Sequence, residues 1–70
     1  MSSTAQIVRC IRRDFGTAPK ALRAGARYCE GISRNAERNP WAPPEDAGNY
    51  LEAARVLEAQ AKETEEKNNP

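Results

Sequence analysis

Apolar residues recur along this chain at intervals of three and four, and no segment alternates with period two. The cleanest period runs from Thr17 to Arg38. On a helical projection Ala18, Ala21, Leu22, Gly25, Tyr28, Cys29, Ile32 and Ala36 fall on one side, and Lys20, Arg23, Arg27, Arg34 and Arg38 on the other. The pattern predicts a helix over about 18–38 that carries a core seam and a basic stripe. Thr17 is its expected N-cap, and Pro19 fits the first turn because the N–H it lacks would be unpaired there anyway. Gly25 and Gly31 each cost about 1 kcal/mol against Ala in a helix interior, which predicts close backbone approach at both, Gly31 towards a partner on the basic side.

Upstream, Thr4, Ile7, Val8, Ile11 and Phe15 share a face with Cys10 at its edge, predicting a helix over about 4–15. Ser2, Ser3 or Thr4 is its cap and Gly16 its left-handed stop. Arg9, Arg12 and Arg13 occupy the rest of its surface, towards the C-terminal end that favours positive charge. Downstream, Ala47, Tyr50, Leu51, Ala54, Leu57 and Ala61 form the seam of a third helix over about 45–65, starting near Pro44, with Glu45 and Asp46 in its first turn. Val56 points away from that seam. Glu58 with Lys62 and Glu63 with Lys67 have the spacing of helical ion pairs, and residues 66–70 read as a frayed tail.

These elements make an all-α chain, a small three-helix domain spanning 1–70. Of its 27 hydrophobic residues 12 are Ala, which is a thin core for 70 residues. Such a chain draws only about 3–5 kcal/mol from its own interior, so a homodimer or a stable complex with a partner is expected. The net charge of +1 hides a segregation: residues 1–38 carry +5 and residues 39–70 carry −4. The simpler reading is that the two parts attract each other, within a subunit or across a dimer. The other is a basic surface for an acidic protein or a nucleic acid.

Between the second and third helices, Pro40, Pro43 and Pro44 stiffen a link that holds the only Trp, Trp41. Because the core lacks large side chains, the indole is expected to fold back as a lid over it. Its alternative role is an anchor presented to a partner's pocket, since Trp is enriched among the residues that dominate binding energy.

Catalytic chemistry has little to stand on. There is no His, Cys10 and Cys29 alone make no zinc site, the four glycines are scattered and form no phosphate loop, and no nucleophile sits beside a base. We expect no enzyme activity, metal, cofactor or small-molecule substrate. MSSTAQIVRC has no apolar run of export-signal length and nothing spans a membrane, which predicts a cytoplasmic protein with reduced thiols. Helix, Gly turn and basic helix invite comparison with a helix-turn-helix DNA reader. The second helix is too long for that motif, and Arg12 stands where it takes a small residue.

In size and lack of catalytic groups the chain resembles the small accessory proteins of bacteriophages and mobile elements, a resemblance that rests on no motif and assigns no residue a role. It implies a non-enzymatic regulator that docks on a larger macromolecule and inhibits or modulates it. Lys20, Arg23, Arg27, Arg34, Arg38 and Trp41 are the expected partner contacts, since Arg forks and a stiffly held aromatic suit acidic, partly apolar surfaces. The alternative is a nucleic-acid-binding protein that tracks phosphates with the same basic face.

Overall fold

The computed structural model describes residues 3–68. It contains three helices, α1 (Thr4–Phe15), α2 (Pro19–Arg38) and α3 (Pro44–Asn68), and no strand among the described residues. Ser3 caps α1: its hydroxyl accepts from the Gln6 N–H at 3.2 Å, and the Gln6 side chain accepts from the Ser3 N–H at 3.0 Å. Of the other expected caps, Ser2 lies outside the described residues. Gly16 ends α1 as expected of a glycine with positive φ (106°), but its ψ of 179° is extended rather than left-handed helical. The Gly16 N–H still reaches back to the Arg12 carbonyl at 3.1 Å.

Thr17 is not the cap of α2. Ala18 occupies that position without a side-chain hydrogen bond, because Pro19 fills the first helical position and sets the boundary one residue later. At the other end α3 runs to Asn68, past the expected fraying point at 65, while Asn69 and Pro70 lie outside the described residues.

The helices run up, down and up. Arg23 of α2 pairs with Glu65 of α3 and Ser33 of α2 with Ala47 of α3, so the two lie antiparallel. Thr4 donates to Glu52 at 3.5 Å and Arg12 to Gln60 at 2.7 Å, so α1 lies parallel to α3. Most of the packing is between α2 and α3, and the bundle measures 48 × 17 × 15 Å. Short links force this order: residues 16–18 and 39–43 allow only adjacent helices.

The core consists of Ile7, Val8 and Ile11 from α1, Leu22, Ala26 and Cys29 from α2, and Ala53, Ala54, Leu57 and Ala61 from α3. Buried Ser33 belongs to the same layer and donates its hydroxyl to the Ala47 carbonyl at 2.7 Å, which removes the penalty of burying it. The seams are turned from those the sequence predicts. Ala26, Ser33 and Ala53 are buried, whereas Phe15 (41%), Tyr28 (54%) and Leu51 (38%) stay exposed. Small residues bring the axes close and leave no depth for a Tyr or Phe between them. Val56, expected to point away, packs partly against the core from the α1 side.

One glycine sets the crossing of α1 and α2. A Cβ on Gly25 would run into Cγ2 of Ile11, so only the bare backbone admits that side chain. Gly31 meets nothing of this chain within 4 Å. Its expected close approach has no occupant inside the molecule.

Candidate functional site

Helix α2 turns Leu22, Ala26, Cys29 and Ser33 towards α3, and this orientation fixes what its far side shows. Lys20, Ala24, Arg27, Gly31, Arg34 and Arg38, spaced four and three residues apart in alternation, form an exposed ridge about 27 Å long at 1.5 Å per residue. Among the described residues, Lys20, Arg27, Arg34 and Arg38 make no ion pair or side-chain hydrogen bond. Gly31 leaves a dip in the ridge between Arg27 and Arg34.

Arg23 departs from the expected group. Its guanidinium turns to the flank and donates to the Glu65 carboxylate. That hydrogen bond raises the Arg23 pKa and holds the Glu65 carboxyl below the usual carboxylate range. Among the described residues it is the one ion pair that joins the basic part of the chain to the acidic part. Mutual attraction of the two parts, the simpler reading of the charge segregation, therefore engages one stripe residue and leaves four free. Of the two expected pairs along α3, Lys67 meets Glu63 at 3.4 Å, while Glu58 and Lys62 form none.

Trp41 is not a lid. It is 90% exposed, just past Arg38 in the link between α2 and α3. Its backbone N–H donates to the Asn39 side-chain oxygen at 3.0 Å, and the Ala42 N–H donates to the Asn39 carbonyl at 3.1 Å. This Asx turn, with Pro40 at its centre and Pro43 after it, stiffens the link that presents Trp41 to solvent. The core needs no lid there, since Ala47 already accepts from Ser33 at that end. The structure thus lines up Lys20, Arg27, Arg34 and Arg38 and sets Trp41 beside the end of their row, with Arg23 drawn aside.

A second feature escapes sequence reading. Between α1 and the α2–α3 pair lies a groove of about 630 Å3, lined by Ile7, Cys10, Ile11, Tyr28, Ile32 and Tyr50, with Arg9 and Asp14 at its polar margin. The Phe15 and Tyr28 rings pack beside it at 5.6 Å between centroids, tilted by 43°. The sequence pattern puts Ile7, Ile11, Tyr28, Ile32 and Tyr50 on apolar seams and Cys10 at the edge of one, and only the turned packing of α2 opens a cleft between them.

The two thiols differ. Cys10 is exposed, whereas Cys29 is fully buried and burial pushes its thiol pKa up. Among the described residues no three acidic, Cys or His side chains cluster to hold a metal, and no helix is long and apolar enough to cross a membrane. Comparison with protein-family models, curated proteins and solved structures finds no match for this chain.

Proposed function

We propose that this chain is a small, non-enzymatic regulator that docks on a larger acidic protein through the α2 ridge and Trp41, and inhibits or modulates it. The observation that carries the reading is Trp41, 90% exposed on a proline-stiffened turn at the end of a row of four cations that make no ion pair among the described residues. An indole left in water forgoes a burial worth several kcal/mol, and holding it rigidly lowers the entropy lost when a partner's pocket takes it up. Arg27, Arg34 and Arg38 supply forked donors for carboxylates, and the dip at Gly31 admits a partner's backbone. Two free thiols fit a cytoplasmic setting.

Nucleic acid is the second reading. It gains from one observation: the acids of α3 lie behind α2, away from the ridge, so they do not oppose phosphates there.

The test is capture from the source cell by the purified chain and its folded variants, with and without nuclease. A protein retained by the parent chain and by Lys67→Ala, but lost with Trp41→Ala and with Arg27→Ala plus Arg34→Ala, supports docking. A partner that all variants keep overturns the assigned surface. Binding that vanishes with nuclease and falls steeply with salt moves the assignment to nucleic acid.

A further inference from the structure

The face of α3 turned away from the core carries Glu45, Gly48, Glu52, Arg55, Ala59 and Lys62, three and four residues apart in alternation. Leu51, 38% exposed, flanks the row on one side and Val56 on the other. The row reads as its own complement in reverse. Laid antiparallel against a second copy, it sets Glu52 opposite Arg55, Gly48 opposite Ala59 and Glu45 opposite Lys62. Each layer then occurs twice about a two-fold axis, and Leu51 and Val56 each lie beside their own counterparts. These are the layers of a two-stranded antiparallel helix pair.

We infer that α3 forms this antiparallel homodimer through its outer face. Two observations support a second copy as the occupant. Charge complementarity is one: both charged layers pair opposite signs. Within the chain, Glu45, Arg55 and Lys62 make no ion pair among the described residues, and Glu52 accepts a hydrogen bond from the Thr4 hydroxyl at 3.5 Å. The middle of the row is shallow, too. A Cβ on Gly48 would meet nothing within 4 Å, so this glycine, costly in a helix interior, has no use inside the monomer. Together Gly48 and Ala59 let two helix axes come close.

Area sets the strength. A standard stable interface takes about 800 Å2 per partner, roughly a sixth of the 5054 Å2 surface of this chain. One helical row about 26 Å long covers less than that, so association is weak and reversible, with a Kd on the order of micromolar or above. This interface leaves the α2 ridge free, because α3 packs on α2 through its opposite side, Ala53, Ala54, Leu57 and Ala61.

Sedimentation equilibrium over a dilution series at low salt tests the inference, with circular dichroism confirming that each variant is folded. The parent chain is expected to show a monomer–dimer equilibrium. Glu52→Arg sets Arg opposite Arg and is expected to weaken it at least tenfold, as Arg55→Glu does by setting Glu opposite Glu. The double variant Glu52→Arg plus Arg55→Glu restores opposite signs and should return to within about threefold of the parent. Glu45→Lys with Lys62→Glu gives an independent second swap with the same pattern. A parent chain that stays monomeric up to millimolar concentration overturns the inference, as does a dimer that neither single swap weakens or that the double swap fails to restore.

Discussion

Gly25 and Gly31 share a helix and have opposite surroundings, so the same substitution should act with opposite sign at each. At Gly31 an added methyl enters open space and gains helix propensity, so Gly31→Ala should raise stability by about 1 kcal/mol. At Gly25 the methyl meets Cγ2 of buried Ile11, whose β-branched side chain has few ways to yield. Overpacking costs about 1–3 kcal/mol and outweighs the same gain, so Gly25→Ala should destabilise. Urea unfolding of the two variants checks the pair. If Gly31→Ala stabilises the chain but weakens capture of its partner, the dip in the ridge serves contact. The thiols divide in the same way: iodoacetamide should modify exposed Cys10 in the native state and buried Cys29 only after unfolding, as mass spectrometry would show. Because burial raises the Cys29 pKa, its thiol form stabilises the fold at neutral pH, and that contribution is lost as pH rises through the folded value.

Between elements, polar contacts set the register. Ser33 fixes the linked end of the α2–α3 pair and Arg23 with Glu65 the open end, with the small-residue seam between them. The Glu65 carboxyl is held low by the Arg23 hydrogen bond, so the pair is intact above the ordinary Glu value and is lost as pH falls through the lowered one. Both side chains reach solvent, so screening keeps the stability effect small, and NMR titration is the sensitive measurement. In Arg23→Gln the Glu65 pKa should rise towards the ordinary carboxylate range. An unchanged Glu65 titration would show that the pair does not persist in solution.

For the molecule as a whole, the interior is thin and the large side chains sit outside. Phe15, Tyr28 and Trp41 are exposed, while four of the ten core residues are Ala. Leu57 is fully buried, and Leu57→Ala costs about 2–5 kcal/mol in cores of known structure. That equals most of what a chain of this size holds in reserve, so the variant should be largely unfolded at 25 °C by circular dichroism. A cooperative native transition retained in that variant would mean that stability resides elsewhere. Exposed aromatics on a marginal bundle are consistent with a molecule that completes its packing against other chains.

The three helices and their approximate bounds were legible in the sequence because periodicity, Pro19, Pro44 and Gly16 are local signals, set by which residues tolerate a given backbone. The basic stripe was legible for the same reason, since a helix places residues three and four apart on one side whatever it packs against. Tertiary packing decided the rest. Rotating α2 by a fraction of a turn exchanged Tyr28 for Ala26 and Ser33 in the core, a choice set by how closely small residues let two axes approach, which no single helix encodes. The same packing drew Arg23 to Glu65, across a separation in sequence that local pattern does not span. It left Trp41 in water, because the path of a link depends on where the two helices it joins come to rest.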